Sequence, residues 1–578
     1  MSRPHRTGGP RPAARTPRTA RRAGTPRTAR GTVRPTAALT RACLALALLA
    51  AAVLATASCS SDGRKSVTLD VLASSELADL GPLLDDLRHD TGVTLHMDYQ
   101  GTVDASDALT PGHYRHDLAW LSSDRWLRLR LAASGSRTGL PLSTRTMMSP
   151  LVIGMRRAAA ERLRHASPDG RISWADVAAA AATGSFRYAM ADPRHTNSGL
   201  SALVGVATAA AGTGAALRPQ DVACDRLRGF LTGQAVTGRS TGDLADAYVR
   251  HQDGTDALIT YESELLALNA SGRLREPLEV VYPEDGMVLS DYPLLLLDPA
   301  KRPAYDKVVA WLLGEHAQRK LMERTLRRPL DTGIRRDPRL RRPIGNALYF
   351  PDQQQVVTRL LADYAADTPK DIPGSAPTGP PPPAAPASQA LFLLDFSGSM
   401  RGERIAELRA AFDGLSGSDT SHTGRFVRFF RGERITVVRF GSRVLAERTL
   451  TYRDEKDLAA LRAFVASEDF DGSTAVWSTL DGAYDRVADL LRAGPGRPLS
   501  VVLMTDGESN TGIGLDTFLA RYRQRPAPVR AVHTYAIRYG DAGTAALDRA
   551  AWATGGRMVD ARTGSLLDAF QETRGCVQ

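Results

Sequence analysis

Residues 391–400, LFLLDFSGSM, run an apolar stretch into an Asp and two serines at alternate positions, Asp395, Ser397 and Ser399. Consecutive large apolar residues followed by a Gly-containing turn read as a strand buried on both faces. The polar residues after it have two readings. One is a plain turn with Ser399 capping the next helix. The other is three oxygen donors aimed at one point. What lies downstream decides between them.

From Ala390 onward, strand-like and helix-like stretches alternate. ALFLLD, RITVVRFGS, VLAERTLTY, LSVVLMTDG and VRAVHTYAIR read as strands. RIAELRAAFDGL, DLAALRAFVASE, TAVWSTLDGAYDRVADLLR, DTFLARYRQR and GTAALDRAAWATGG read as helices. The pattern predicts a doubly wound α/β sheet with helices on both faces. In such sheets ligands bind beyond the carboxyl ends of the strands. Asp395 lies at that end of the first strand, and Asp506, in VVLMTDGES, at that end of a later one. FDGSTAVWS places Ser473 and Thr474 just before a helix.

An apolar strand, D-x-S-G-S, a Thr in a Gly-containing loop and a second strand ending in T-D-G resemble, in order and spacing, the von Willebrand factor A (vWA) domain and its metal-ion-dependent adhesion site. The resemblance covers residues 390–575. It implies a Rossmann-like fold and Mg²⁺, with Mn²⁺ or Ca²⁺ as alternatives. It also implies hydroxyl ligands from Ser397, Ser399 and Thr474, with Asp395 and Asp506 acting mainly through bound water. Ser473 stands where that family often has Gly. Independently, Mg²⁺ demands octahedral oxygens and keeps several waters. Hydroxyls neutralise little of its charge, so a partner's carboxylate can complete its shell. The ion would also be a Lewis acid. The nearest general-base candidate, Glu508, reads as an exposed loop acid, so binding is expected rather than catalysis.

Upstream, DTPKDIPGSAPTGPPPPAAPASQ, residues 367–389, is Pro-rich and reads as a semi-rigid spacer holding two domains apart. Before it, VTLDVLA, VTLHMDY, DLAWLSS, PLVIGM, RYAMADP, DALITYES and YPLLLLD read as strands. Helical patterns such as ELADLGPLLDDLRHD and YDKVVAWLLGEHAQRKLMERTL lie between them. The alternation suggests parallel sheets in two lobes. VLASSEL, DLAWLSSD, ADPRHTNSGLSAL, ALITYESELLALN and VVYPEDG resemble bacterial extracellular solute-binding proteins, which close two lobes on a ligand around a hinge. Ser74, Ser75 and Ser198 precede or begin predicted helices, whose free N–H groups suit anions or are simply capped. Ser122, Ser123 and Tyr261 would add hydroxyls for a small polar solute. His113 and His116, three apart, read as a surface pair rather than a zinc site.

The 578-residue chain carries a formal charge of +11. Residues 1–58 hold 11 Arg, no Lys and no acid; without those 11 the 74 basic residues fall to 63, equal to the 63 Asp and Glu. The remainder is neutral, and no nucleic-acid partner is expected. The basic segment ends at Arg41 and leads into ACLALALLAAAVLATA, too short to span a bilayer comfortably. That combination is an export signal. LATASCSS resembles a bacterial lipobox with Cys59 as the lipidated residue, although Thr56 departs from it. Cleavage after Ala57, giving a secreted protein, is the alternative. Export would place Cys224 and Cys576 in an oxidising compartment, where they either pair or remain free thiols. P-loop, H-E-x-x-H, C-x-x-C and G-x-S-x-G motifs are absent.

The expected organisation is therefore an export signal over 1–58, a tether over 59–66 and a two-lobed periplasmic-binding-protein-like domain over 67–350. A helical end and linker follow over 351–389, then a vWA domain over 390–578. The expected function is Mg²⁺-bridged binding of an acidic protein or cell-envelope ligand at the outer face of the bacterial membrane. A solute-binding component of a transport or sensing system is the alternative, and a metal-dependent hydrolase the more distant one.

Overall fold

The computed structural model describes residues 66–134, 140–222, 226–340, 342–345, 347–368, 388–493, 498–540 and 543–574. The stretch read as an export signal and all four cysteines lie outside them. So does the Pro-rich stretch from 369 to 387.

The first region builds two sheets. One has the strand order Val93–Gln100, Val67–Ser74, Leu118–Trp120, Pro293–Leu296, Leu142–Arg145. The other runs Leu289–Ser290, Ser149–Met155, Ala257–Tyr261, Tyr188–Met190, Gln234–Val236, with Glu279–Val281 also pairing Ser149–Met155. Each sheet has its own apolar core, which makes two lobes. Sequence alternation suggested parallel sheets; both are mixed. Pro293–Leu296 runs antiparallel to both neighbours, as does Ser149–Met155 to Ala257–Tyr261. The reason lies in the connectivity. The chain leaves the first lobe after Arg145 and re-enters it after Ser290, so strands beside the crossings arrive from the other lobe. The long helical pattern after Pro299 is likewise two helices, Arg302–Leu313 and Glu315–Thr325, parted by Gly314 in extended backbone.

The second domain is one sheet ordered Val444–Thr451, Arg434–Phe440, Gln389–Asp395, Leu499–Thr505, Thr534–Arg538, Met558–Asp560. Only the first pair is antiparallel. The strand containing LFLLD is central, and its alternate residues feed two cores. Phe392 and Leu394 join one, Leu391 and Leu393 the other. That explains the continuous apolar run. The chain starts on this strand, winds to one edge, then returns to Leu499–Thr505 and winds to the other. The switch point therefore lies between Asp395 and Thr505, where a crevice opens in such sheets.

The two domains are in contact, which corrects the reading of the Pro-rich stretch as a spacer holding them apart. Phe426, on the short helix Gly424–Val427, belongs to the same apolar core as Trp174 and Ala178 of the second lobe. Proline content governs the stiffness of a connection. It carries no information about apolar side chains placed far from the connection that can find each other. The helix Gln354–Asp367 buries Val356, Val357, Leu360 and Tyr364 in that same core. Among the described residues no helix is long and apolar enough to cross a membrane.

Candidate functional site

The carboxyl edge of the second domain gathers the oxygen donors that the sequence singled out. Asp395 ends its strand fully buried. Its Oδ1 accepts from the Ser397 N–H (2.8 Å) and its Oδ2 from the Thr505 hydroxyl (2.5 Å). Ser397 and Ser399 share a hydrogen bond between their hydroxyls (3.0 Å), and Ser399 Oγ donates to Asp506 Oδ1 (2.9 Å). Thr474 is held by its backbone: its N–H donates to Asn510 Oδ1, and its carbonyl accepts from the Asn510 N–H, both at 2.9 Å. A Cβ at Gly507 would stand 3.9 Å from Thr474 Oγ1 and 4.0 Å from Ser399 Oγ. Both hydroxyls therefore lie close to one point beside Gly507.

The donor set fits a hard divalent cation. It consists of three hydroxyls and two carboxylates, all oxygen. Among the described residues no group of three or more His, Cys, Asp or Glu is placed to hold a metal. The hydroxyls are therefore essential to any such site. Burial pushes the Asp395 carboxyl up to about 6; hydrogen bonds from Thr505 and Ser397 pull it down, and Asp506 nearby pushes it up. A cation beside these carboxylates would favour their ionised forms.

Four supporting residues were not anticipated. Thr505 fixes Asp395, and it is the Thr of the T-D-G run, so a signal was present. Asn510 positions Thr474 from four residues past Asp506. Asp471 makes a backbone bridge with Ser397 and takes hydrogen bonds from Ser442, pinning the Thr474 loop against the first loop. Arg404 Nη1 lies 2.5 Å from Asp506 Oδ2. Nothing in the sequence marks it. Glu508 is exposed, as expected, with its carboxylate against Gly543.

The candidate solute residues fall on the boundary between the lobes. Ser74 precedes a 3₁₀ turn but does not cap it; its Oγ accepts from the Ser122 N–H (2.7 Å) and bonds the Thr102 hydroxyl. Thr102 Oγ1 and Ser122 Oγ lie 2.7 Å apart. From the other lobe, Asn197 Nδ2 donates to the Tyr261 hydroxyl (2.7 Å) and to Ser290 Oγ (3.2 Å). Burial raises the Tyr261 phenol, and hydrogen bonding with Ser290, Ser122 and Asn197 opposes this. Ser75 sits apart, beside Glu76, and Ser123 Oγ accepts from the Arg125 N–H. Ser198, one residue into its helix, is buried with no partner for its hydroxyl, while Thr196 performs the capping. His116 pairs with Asp98 at the surface, and His113 is exposed.

Below this cluster two arginines tie the lobes. Arg327, fully buried, reaches Asp79 (2.6 Å) and the Glu76 carbonyl (2.6 Å) in the first lobe and Glu264 (3.3 Å) in the second. Its guanidinium also lies 5.2 Å from the Tyr292 ring centroid. Arg328 makes a two-point pair with Glu262, each bond 2.7 Å, both side chains fully buried.

Residues 69–324 match the family model for bacterial extracellular solute-binding proteins, and residues 391–572 match that for the von Willebrand factor type A domain. The chain joins a solute-binding-protein domain to a vWA domain. Solved structures similar to it include the periplasmic binding protein AfuA from Actinobacillus pleuropneumoniae with exogenous fructose-6-phosphate bound (14% identity, TM-score 0.41, covering 52% of this chain and 99% of that one). Others are iron-bound HitA from Pseudomonas aeruginosa (15%, 0.39, 52% and 99%) and a periplasmic thiamin binding protein (14%, 0.39, 51% and 95%). No curated protein sequence matches. Cys59, Cys224 and Cys576 lie outside the described residues. Arg226 and Arg574, each two residues from one of the latter pair, line the same crevice between the domains.

Proposed function

We propose that this is an exported surface protein that binds, without catalysis, an acidic protein or cell-envelope ligand through a divalent cation at the vWA edge. One observation carries the reading: Ser397, Ser399 and Asp506 form one hydrogen-bonded chain at the switch point, with Asp395 bonded to the Ser397 N–H and the Thr474 hydroxyl beside the same point near Gly507. Ser397, Ser399 and Thr474 would hold Mg²⁺ by their hydroxyls, and Asp395 and Asp506 through water. The ion would offer an open position to an incoming carboxylate. Thr505 keeps Asp395 oriented and Asn510 keeps Thr474 facing the edge. Mn²⁺ or Ca²⁺ are alternative occupants.

The solute-binding-protein domain supports a second reading, a small polar solute held between the lobes by Ser74, Ser122 and Tyr261. Its support is a pair of buried hydroxyl groups, Ser74, Thr102 and Ser122 in the first lobe and Tyr261 with Ser290 around Asn197 in the second. Lipidation at Cys59 would hold the protein at the outer face of the membrane.

The test is capture of envelope components by the mature chain with Mg²⁺ or with EDTA. Capture should require the metal and disappear in Asp395→Ala. Capture that survives both changes refutes the metal-bridged reading.

A further inference from the structure

The contact between the vWA domain and the second lobe is built like a core. It centres on one lobe helix, Trp174–Ala182, which the vWA segment 422–431 grips at both ends. At its start, Arg425 Nη1 lies 2.6 Å from Asp176 Oδ1, with only 12% and 5% of the two side chains exposed. The other Asp176 oxygen accepts from the Ser173 N–H and hydroxyl, so one carboxylate both caps the helix and docks the neighbouring domain. At its end, the Arg431 N–H donates to the Ala182 carbonyl (2.6 Å). Between these points Phe426 is buried in the lobe's own core.

The grip extends toward the crossing between the lobes. His422 Nε2 lies 3.3 Å from Asp285 Oδ2, and Asp285 accepts from the N–H groups of Trp174 and Ala175. From Asp285 the chain runs through Leu289–Ser290 of the second lobe's sheet to Pro293–Leu296 of the first. Tyr292, at the crossing, has φ 43, a left-handed conformation costly for a side chain of its size. Backbone held this way persists only when its surroundings fix it on both sides.

We propose that the vWA domain and the second lobe form a single body, docked through residues 422–431 and independent of the Pro-rich connection. The metal edge is then fixed relative to the second lobe. Any bending at the Ser290–Pro293 crossing moves that edge relative to the first lobe. A desolvated Arg–carboxylate pair beside a buried aromatic anchor is the usual make-up of an interface hot spot.

The experiment uses the mature chain with a protease site placed between residues 369 and 387. The chain is cleaved under reducing conditions, so that no disulfide can join the halves, and then followed by size exclusion with light scattering. The halves should co-elute at the mass of the uncut monomer. Arg425→Glu with Phe426→Asp should weaken their association at least about 100-fold and give two peaks. Should that double variant fail to fold, Arg425→Gln alone should weaken association roughly tenfold or more. Halves that separate in the unsubstituted protein overturn the proposal. So do halves that stay together despite a folded double variant, or that elute at twice the expected mass.

Discussion

Asp395→Asn should stabilise the metal-free protein while removing its response to Mg²⁺. The substitution conserves shape. Asn Oδ1 can accept from the Ser397 N–H as Asp395 does, and the Thr505 hydroxyl can turn to the Gly507 carbonyl 3.2 Å away. What changes is the buried charge. Burial lifts the Asp395 carboxyl from an ordinary 3.8 to about 6. That difference corresponds to at most about 3 kcal/mol. The folded pKa lies above the unfolded one, so the folded protein binds the extra proton. Its stability is full below about pH 4, falls as pH rises toward about 6, and is flat above that. In EDTA at pH 8, Asp395→Asn should therefore be more stable by about 1–3 kcal/mol. For a domain of this size that is roughly 2–10 °C in melting temperature. With excess Mg²⁺ the unsubstituted protein should gain stability as binding pulls on the folded state, and the variant should gain little. Differential scanning calorimetry at pH 4, 6 and 8, with EDTA or Mg²⁺, reads both effects. A variant less stable than the parent in EDTA at pH 8, or one stabilised equally by Mg²⁺, refutes the reasoning.

Gly507→Val should place methyl groups against the Thr474 and Ser399 hydroxyls; Mn²⁺ affinity measured by titration calorimetry should fall at least about tenfold, with the fold retained in circular dichroism. Glu262→Gln should cost about 3–5 kcal/mol in urea unfolding, because it strands Arg328 in a fully buried position, and Glu262→Gln with Arg328→Met should recover part of that. Tyr261→Phe should cost about 1–2 kcal/mol by leaving the buried Asn197 amide short of a hydrogen-bond partner, read by the same unfolding midpoint.

The vWA site was legible because its parts are short-range. LFLLD is a strand by composition, the D-x-S-x-S spacing is contiguous, and the T-D-G run ends a second apolar strand. A doubly wound sheet places those strand ends side by side. The solute cluster was only half legible. Ser74 and Ser122 do bond each other in the first lobe, and Tyr261 is bonded in the second, but Thr102, Asn197 and Ser290, which complete the two groups, carry no local signal. Ser75, picked for its place at a predicted helix start, and Ser123, picked as an added hydroxyl, make only local contacts. The mixed pairing of the first two sheets was missed because alternation of strands and helices says nothing about which lobe a strand arrives from.

By itself the sequence determined the α/β class, the boundary at the Pro-rich stretch, and the oxygen-bearing residue types at the carboxyl edge of the second domain's sheet. Apolar periodicity and turn chemistry act over a few residues, so they can be read along the chain. Only the tertiary structure decided that Arg404 meets Asp506, that Arg327 binds one carboxylate from each lobe and the Glu76 carbonyl, and that Phe426 is buried in a neighbouring domain. Arg404 and Asp506 lie 102 residues apart, and Arg425 and Asp176 lie 249 apart. Such pairs depend on strand order and on which apolar faces find each other, and those are settled by the packing of the whole fold.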